Sequence, residues 1–543
     1  MTSASVYADD GLPLTAPLLL RARSQARAGH PFLICDDEVL AYSDACARSA
    51  LLAKALLACG AGLGSHVGLL YPNGPDFVVG WLAAARIGAA TIPISTFSTA
   101  DELRVLLRKA DVEILLAAST YRAHDYHEKL AAAVPELDYR VPPPLLAPSL
   151  PALRRVAFDR APAGAAAGWT LGSLLQGGAD VDDQELTAAE DSVRPSDRLV
   201  IVHTSGSTSE PKGVIHQHGP LIRHQDNLNQ LRRYESHEVL FCNSPFFWIG
   251  GVGYSLLATL LAGGTLVCSN APDPSGVLDL IERTRPTMVN GFAQSIANLP
   301  NDPSFAGRDL SSIRRGNLYP IMPDDVRPAD PELRHNMLGA TETGSVCLAS
   351  EDESEQPESR RGSFGRPVPG FEARIINPET GVTCATGEVG ELWLRGPFLM
   401  EGYYGRERHE TFQPDGWYRT GDLFSVDAEG FFYFKGRASD MIKTSGANVS
   451  PREVEAAILE ETGLVAHVVG LDDQERGQVV AAALRVPTGR DAPDADELQT
   501  RLRARLSAYK VPKLIVTMAD AEVPMMSSGK LDLPALKERF RGS

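Results

Sequence analysis

Near its N-terminus the chain reads ALLAKALLA (50–58), SHVGLLYP (65–72), FVVGWLAAARIGA (77–89) and ATIPI (90–94). The first and third stretches carry apolar residues in a helical pattern, whereas the second and fourth are short apolar runs typical of buried strands. Helices therefore alternate with strands. This alternation predicts an α/β fold with parallel strand pairing.

The alternation changes in three places further along the chain. A segment rich in Pro and Ala, 141–168, is expected to be a surface excursion or a locally disordered loop. The longest charge-free stretch, within 250–271, is interrupted by glycines and is better explained by a buried helix and strand than by a membrane span. After about Gly362, the short runs FEARII, GELWLRG, GWYRTGDL and FFYFKGR predict a smaller β-rich subdomain.

A new folding unit is expected to begin with a helix just after Ser450. Ser450 can cap this helix, Pro451 suits its first position, and Glu453 would complete a capping box. The apolar face of the helix would consist of Val454, Ala457 and Ile458.

Composition and charge restrict the class of protein. The chain has 543 residues, of which 43% are hydrophobic, so it can bury a sizeable core. Its 52 basic and 69 acidic residues give a net charge of −17, so nucleic acid is not an expected partner. Seven scattered cysteines without a C-x-x-C pair argue against a disulfide framework or a zinc site. Without a signal peptide or a transmembrane segment, we expect a soluble, cytoplasmic protein.

A loop rich in hydroxyl side chains follows the apolar run LVIVH. It reads TSGSTSEPKG (204–213). Its glycines let backbone N–H groups approach phosphate oxygens, its hydroxyls can donate hydrogen bonds, and its lysine supplies a positive charge. The loop is not a Walker motif, and the alternative is a flexible surface loop. The candidate phosphate ligands are Thr204, Ser205, Gly206, Ser207, Thr208 and Lys212.

Four further motifs follow this loop: LGATETG (338–344), GWYRTGDL (416–423), GRASDMIKTSG (436–446) and SSGK (527–530). Together with the loop, and in this order, they resemble the adenylate-forming ligases, which include acyl-CoA synthetases, firefly-luciferase-like enzymes and peptide-synthetase adenylation domains. The resemblance extends from about Tyr42 to Lys530. It implies that ATP activates a carboxylic acid as acyl-AMP, which a thiol then attacks.

Activation brings a carboxylate against the α-phosphate, so a desolvated site must supply positive charge. The resemblance implies that Glu342 holds Mg²⁺, which prefers oxygen ligands, and that Thr341 touches the α-phosphate. It also implies that the long side chain of Lys530 bridges the attacking carboxylate and the α-phosphate. Without the resemblance, Glu342 would be an exposed turn residue and Lys530 an ordinary solvated lysine.

Asp422 and Arg437 are the candidate nucleoside ligands. By resemblance, Asp422 accepts hydrogen bonds from both ribose hydroxyls, while Arg437 supports it or reaches a phosphate. The alternative is an Asp–Arg pair that only holds two strands together.

The resemblance also implies two domains, an N-terminal AMP-binding domain over residues 1–438 and a small, mobile C-terminal α+β domain over 439–543. The N-terminal domain would be large and α/β, with several subdomains, one of them β-rich. The hinge would be Ser439, where Asp or Lys is more usual. In the thioester-forming pose, Gly446 would line the pantetheine tunnel and Lys443 would assist the thioester step.

The segment SPFFWIGGVGY (244–254) matches the stretch that lines the acyl pocket in relatives, with Trp248 where many CoA ligases have His. Between Asn243 and Tyr254 no acidic residue could pair with an α-ammonium group, which disfavours an amino acid. Large aromatic residues and glycines suit an apolar or aromatic acyl group. The alternative is that the segment is only core. The candidate pocket residues are Phe247, Trp248, Gly250 and Gly251.

The acceptor is expected to be a diffusing molecule because only 13 residues follow Lys530. CoA is the leading candidate and a separate acyl-carrier protein the competitor. A freestanding enzyme that loads a carrier, or a non-catalytic nucleotide-binding or acyl-binding protein, is the alternative function. The sequence does not determine the oligomeric state, and a homodimer is one of the alternatives. His216 and His218, two residues apart, are expected to be loop residues and not metal ligands.

Overall fold

The computed structural model describes residues 5–204, 211–291, 296–438, 440–444, 447–473, 477–487, 489–503, 505–506, 509–526 and 531–541. Two compact units can be distinguished in it. The first consists of Met1–Arg361, Pro367–Phe371 and Arg395–Pro414. The second consists of Gly362–Arg366, Glu372–Leu394 and Asp415–Ser543. The predicted boundary between residues 438 and 439 stays a prediction.

The helices of the first unit are mostly short and flank its sheets. A π-helical turn, Val252–Leu257, joins two of them, α9 and α10. The helices are α1 (Ala16–Ala26), α2 (Tyr42–Ala58), α3 (Pro75–Arg86), α4 (Ala100–Lys109), α5 (Tyr126–Ala133), α6 (Leu171–Gly177), α7 (Asp183–Ser192), α8 (His218–Leu231), α9 (Ile249–Gly251), α10 (Ala258–Ala262) and α11 (Pro274–Thr284).

The strands up to residue 367 are short. They are β1 (Pro31–Cys35), β2 (Glu38–Ala41), β3 (His66–Leu70), β4 (Ala90–Pro93), β5 (Ile114–Ala117), β6 (Thr120–Tyr121), β7 (His124–Asp125), β8 (Arg155–Phe158), β9 (Arg198–Thr204), β10 (Lys212–Gln217), β11 (Val239–Cys242), β12 (Thr265–Cys268), β13 (Met288–Asn290), β14 (Arg315–Gly316), β15 (Leu338–Ala340), β16 (Ser345–Ala349) and β17 (Arg366–Pro367).

Over the described residues, the first unit contains two six-stranded sheets, ordered β14-β13-β11-β12-β1-β2 and β10-β9-β4-β3-β5-β8. Within each sheet the pairs are parallel except at one edge, where β1–β2 and β9–β10 are antiparallel. The predicted α/β class is confirmed at the stretches that suggested it. Strands β3 and β4 flank α3 and pair in parallel, with His66 opposite Ala90.

Two expectations for the first unit have different outcomes. The charge-free stretch does form a buried helix and strand, since α10 precedes β12 and all four residues of β12 are buried. The expectation of a surface loop over 141–168 is wrong in part. Arg155–Phe158 is a mostly buried strand that pairs in parallel with β5. The surrounding Pro and Ala residues hid a strand of only four residues, too short for a periodic signal.

The second unit is α+β over its described residues. Its first part is the predicted β-rich subdomain, in which β18 to β21 lie side by side in chain order. The remaining strands form a five-stranded sheet, in which β26 pairs with β25. The elements are β18 (Glu372–Ile376), β19 (Gly390–Arg395), β20 (Tyr418–Val426), β21 (Phe432–Arg437), β22 (Ile442–Thr444), β23 (Ala447–Val449), α12 (Pro451–Thr462), β24 (Ala466–Asp473), β25 (Gly477–Arg485), α13 (Ala495–Leu502), β26 (Leu514–Met518) and α14 (Leu533–Arg541).

Helix α12 begins where the sequence predicts it, and Val454, Ala457 and Ile458 form its buried face. The predicted capping box is wrong. The Ser450 hydroxyl makes no cap and instead donates to the Lys435 carbonyl over 2.9 Å. Glu453 pairs with Lys510. Contacts with Lys435 and Lys510 thus take the place of the local capping box that the sequence pattern allowed.

None of the described helices is long and apolar enough to cross a membrane.

Candidate active site

The motif LGATETG forms a tight turn between the antiparallel strands β15 and β16. Thr343 closes this turn, since its hydroxyl lies 3.0 Å from the Ala340 carbonyl, 2.6 Å from the Ser345 carbonyl and 3.1 Å from the Ala340 N–H. Gly344 has φ +65°, a left-handed conformation that favours glycine. Thr341 and Glu342 lie at the tip of this turn and are half-buried.

Three other parts of the first unit hold the turn by its backbone carbonyls. Nε2 of His216, on β10, lies 2.7 Å from the Thr341 carbonyl oxygen. The Met400 N–H donates to the Glu342 carbonyl over 2.9 Å, and Gln225 Nε2, on α8, donates to the Gly344 carbonyl over 2.8 Å. These bonds fix the backbone of Thr341 and Glu342 before any ligand binds.

The Glu342 carboxylate is oriented by Tyr403, whose hydroxyl donates to Oε1 over 2.9 Å. Lys212 Nζ lies 5.2 Å from the centroid of the Tyr403 ring, which is within cation–π range. The structure therefore brings both side chains to one tyrosine, with Glu342 at its hydroxyl and Lys212 over its ring. Sequence reasoning missed Tyr403 because its position depends on pairing between residues 402–404 and β10, which no local pattern announces.

His216 was also missed, and the expectation that it and His218 are loop residues is wrong. His216 lies within β10, and His218 is the first residue of α8. Because a carbonyl oxygen only accepts, His216 must donate from Nε2 to Thr341. Burial lowers the pKa of His216 to about 4, so its ring is neutral at pH 7. Burial likewise lowers the pKa of His218 to about 3, and its Nδ1 accepts from the Ala16 N–H over 3.1 Å.

The predicted pocket segment starts with an aromatic cluster. Phe247 is buried, and its ring lies edge-on to Phe97 at 5.8 Å and to Trp248 at 5.5 Å, measured between centroids. Trp248 directly precedes α9 and the π-helical turn, a feature that is frequent at functional sites.

The two glycines of this segment differ in their surroundings. A Cβ on Gly251 would lie 2.0 Å from the Pro245 carbonyl oxygen, so only glycine fits there. A Cβ on Gly250 would meet nothing closer than Ser244 Oγ at 3.9 Å. Gly251 is therefore required by packing, whereas Gly250 borders open space.

Asp422 and Arg437 pair directly in the second unit. They are opposite each other on β20 and β21, and Arg437 Nε lies 2.9 Å from Asp422 Oδ1. The Asp422 side chain is 11% exposed and that of Arg437 is 61% exposed. The pair holds the two strands together and fixes the direction of the carboxylate, whether or not a nucleotide binds.

Two more of the predicted residues lie on described strands. Thr204 ends β9, where it is opposite Lys212 on β10, and Lys443 lies on β22. The other residues lie outside the described parts of the chain, and their roles stay predictions. They are Ser205, Gly206, Ser207, Thr208, Ser439, Gly446 and Lys530.

Comparison with known proteins identifies the family. Residues 20–404 match the family described as AMP-binding enzyme. Residues 453–530 match the family described as AMP-binding enzyme C-terminal domain.

Among curated relatives, a feruloyl-CoA synthase of Amycolatopsis sp. is 30% identical over 511 residues, covering 92% of this chain and 94% of the relative. The mitochondrial medium-chain acyl-CoA ligase ACSF2 of Mus musculus is 29% identical, covering 90% of this chain and 81% of the relative. Among solved structures, ATP-bound MatB from Rhodopseudomonas palustris has a TM-score of 0.77 at 22% identity, with 98% of this chain and 99% of MatB covered. This last similarity shows the fold.

The family match and the curated relatives define the class as an AMP-forming acid–thiol ligase of the acyl-CoA synthetase type. The chain belongs to the AMP-binding enzyme family.

Proposed function

We propose that this enzyme converts an apolar or aromatic carboxylic acid to acyl-AMP and then transfers the acyl group to the thiol of CoA. The observation that carries the proposal is the fixed turn at Thr341 and Glu342. Its carbonyls are bound by three separate parts of the first unit, and its carboxylate is aimed by Tyr403 next to Lys212. A preorganised group of this kind stabilises developing charge without a reorganisation cost.

In the first half-reaction, a carboxylate oxygen of the acid attacks the α-phosphorus of ATP, and the bond to the β,γ-diphosphate breaks. Acyl-AMP and pyrophosphate result. Two unit charges 4 Å apart repel by ~1 kcal/mol in water and by ~4 kcal/mol at an effective dielectric constant of 20. Cations must offset this repulsion, and we assign that role to Lys212 and Lys530, with Thr341 as a donor to the α-phosphate.

The donor set of the turn fits Mg²⁺ bound mainly through substrate. No group of three His, Cys, Asp or Glu side chains suited to a metal occurs among the described residues. A single carboxylate, Glu342, is what Mg²⁺ uses when phosphates and water complete its octahedral shell. When bound, the ion would neutralise phosphate charge. The Tyr403 hydrogen bond keeps the Glu342 carboxylate in one orientation for this purpose.

The nucleoside is assigned to Asp422. Arg437 lies against Oδ1 of this carboxylate and limits its rotation. We propose that the ribose hydroxyls donate to Asp422, with Arg437 as its support. A carboxylate accepts two such bonds without a geometric penalty because each oxygen has two lone pairs.

The acid is assigned to the pocket segment. Phe247, Trp248 and Phe97 provide an apolar aromatic wall, and the open space beside Gly250 leaves room for an acyl chain. The names of the relatives agree with this preference, since they include a medium-chain acyl-CoA ligase, a feruloyl-CoA synthase and a 3-hydroxybenzoate–CoA ligase.

In the second half-reaction, the thiol sulfur of CoA attacks the acyl carbon of acyl-AMP. AMP leaves with the bonding electron pair, and the thiol proton passes to solvent. We assign Ser439 to the hinge that separates the half-reactions, Lys443 to assistance of the thioester step, and Gly446 to the pantetheine tunnel.

Mass spectrometry after incubation with ATP, Mg²⁺, a panel of acids and CoA tests the proposal. We expect AMP, pyrophosphate and acyl-CoA, with the highest turnover for apolar or aromatic acids. Acyl-AMP that loads a carrier protein but not CoA would favour a freestanding adenylation enzyme. ADP in place of AMP, or no pyrophosphate with any acid, would contradict the proposal.

A further inference from the structure

A buried asparagine, Asn73, lies against the start of the pocket segment although 171 residues separate it from Ser244. Its Nδ2 donates to the Ser244 carbonyl over 2.9 Å, and its Oδ1 accepts from the Phe246 N–H over 2.7 Å. The side-chain amide thus binds the backbone on both sides of Pro245, as a neighbouring strand would. Pro245 itself has no N–H to donate, so the segment depends on such a partner.

Asn73 is in turn held from the other side. Its backbone carbonyl accepts from Asn270 Nδ2 over 2.6 Å, and Asn270 Oδ1 accepts from the Tyr121 hydroxyl over 3.2 Å. Asn73 is 8% exposed as a whole residue, so its two side-chain hydrogen bonds are shielded from water. The residue is therefore a rigid link between the turn before α3 and the segment that begins the acyl wall.

We infer that Asn73 is a positioning residue of the acyl pocket. It touches neither acid nor nucleotide in this role. It holds the backbone of Ser244 and Phe246 so that the adjoining Phe247 and Trp248 present a fixed wall to the acyl group. The inference rests on the proposed function, because that proposal is what assigns this segment to the acyl group.

Loss of the Asn73 amide would leave two buried backbone groups, the Ser244 carbonyl and the Phe246 N–H, without their partner. Ser244 is 5% exposed and Phe246 is fully buried, so water cannot readily replace the lost amide. A buried carbonyl and a buried N–H without partners are costly, and the segment would shift to find new ones. The shift moves the acyl wall, whereas the turn at Thr341 and Glu342 keeps its own separate bonds. Acid binding should therefore suffer and ATP binding should not.

The test compares Asn73→Ala with a control asparagine in the second unit, Asn377→Ala. Asn377 is half-buried, and its Oδ1 accepts from the Glu379 N–H over 2.9 Å and from the Thr380 N–H over 3.1 Å. We expect Asn73→Ala to raise the KM for the acid by about tenfold and to change the ranking of acids of different size. The KM for ATP should stay within about twofold of the wild-type value, because the ATP-site turn is untouched. The control should lower thermal stability and leave both KM values unchanged.

A second variant, Asn73→Asp, tests the inference if Asn73→Ala fails to fold. The ionised carboxylate can still accept from Phe246 but repels the Ser244 carbonyl, whereas the protonated form can donate as the amide does. The ratio of its acid KM to that of the wild type should therefore fall as pH is lowered. If Asn73 affected only the overall stability of the fold, this ratio of acid KM values would not depend on pH.

Hydrogen exchange at the Phe246 amide gives a readout that needs no activity. Faster exchange in Asn73→Ala, with unchanged exchange at the Met400 amide, which donates to the Glu342 carbonyl, supports the inference. Equal changes in the KM for acid and ATP, or a wild-type acid KM in both Asn73 variants, would overturn it. If the wild type itself forms no acyl-AMP from any acid, the proposed function fails. Exchange at Phe246 then still decides whether Asn73 holds the segment.

Discussion

Tyr403 and Glu342 are 61 residues apart in sequence, yet the tyrosine hydroxyl donates to the glutamate Oε1 over 2.9 Å. The contact exists because residues 402–404 run antiparallel to β10. The Ile215 N–H donates to the Gly402 carbonyl over 3.1 Å, and the Tyr404 N–H to the Gly213 carbonyl over 2.7 Å. This pairing delivers the phenol to the turn and gives the proposed metal-binding carboxylate a defined direction.

Replacing Tyr403 by Phe removes this hydrogen bond and keeps the ring beside Lys212. A hydrogen bond to a charged group contributes about 1.5–3 kcal/mol, so we expect the adenylation rate to fall by about ten- to a hundredfold. Pyrophosphate release measures this rate. The conversion of supplied acyl-AMP to acyl-CoA should be unchanged.

The neighbouring Tyr404 provides the control. Its hydroxyl donates to Asp111, not to Glu342. Tyr404→Phe should therefore leave pyrophosphate release near the wild-type rate. Similar losses in both variants would show that Glu342 is not oriented by Tyr403.

Gly250 and Gly251 predict opposite results for the same substitution. Gly→Ala inside a helix usually stabilises by about 1 kcal/mol, but a Cβ at 2.0 Å from the Pro245 carbonyl outweighs this gain at Gly251. We expect Gly251→Ala to lower the melting temperature and to disturb acid binding. Gly250→Ala should fold normally, but its added methyl group should raise the KM or lower the turnover for the bulkiest acids. Calorimetry measures the melting temperatures of both variants, and kinetics with a panel of acids measures their KM and turnover. A Gly251→Ala protein as stable as the wild type would contradict the packing described.

His216 predicts a pH dependence of stability. Its pKa is lowered to about 4 by burial, whereas in the unfolded chain it returns to about 6.5. Between these values the unfolded chain binds the extra proton, so the free energy of unfolding falls as pH drops from about 6.5 towards 4. The contribution of one such histidine is about 1.4 kcal/mol per pH unit.

His216→Gln separates this histidine from the other buried ones. Glutamine has an N–H donor for the Thr341 carbonyl but does not titrate. We expect the variant to be less sensitive to acid than the wild type in denaturant unfolding between pH 4 and 6.5. A hydrophobic replacement, His216→Leu, should instead lower adenylation at neutral pH because the Thr341 carbonyl loses its partner. Identical pH profiles of wild type and His216→Gln would refute the argument.

Lys530→Ala tests the assignment of the catalytic lysine. Loss of one charge-stabilising group at a transition state typically costs about 10²–10³-fold in rate, so adenylation should fall by at least this factor. Thiolysis of supplied acyl-AMP should stay largely intact, because Lys530 has no assigned part in it. An equal loss in both half-reactions would contradict the assigned role.

Local patterns predicted much of the fold correctly. The alternation over 42–93, the short strands after Gly362 and the helix after Ser450 all appear because each element carries its own periodicity or turn residues. The failures have two causes. The strand Arg155–Phe158 is too short to show a pattern, and the Ser450 hydroxyl and His216 were each taken up by distant backbone carbonyls.

By itself the sequence determined the α/β class, the order of the motifs and the chemical types at the candidate site, because these depend on residue identity and on spacing along the chain. Only the tertiary structure revealed that Tyr403 aims Glu342, that His216 and Gln225 hold the turn, and that Asn73 binds the backbone of the segment 244–254. Each of these contacts joins residues 61 to 173 positions apart. A hydrogen bond requires two groups within about 3 Å, and for such residues that proximity is set by strand pairing and packing, which leave no local trace in the sequence.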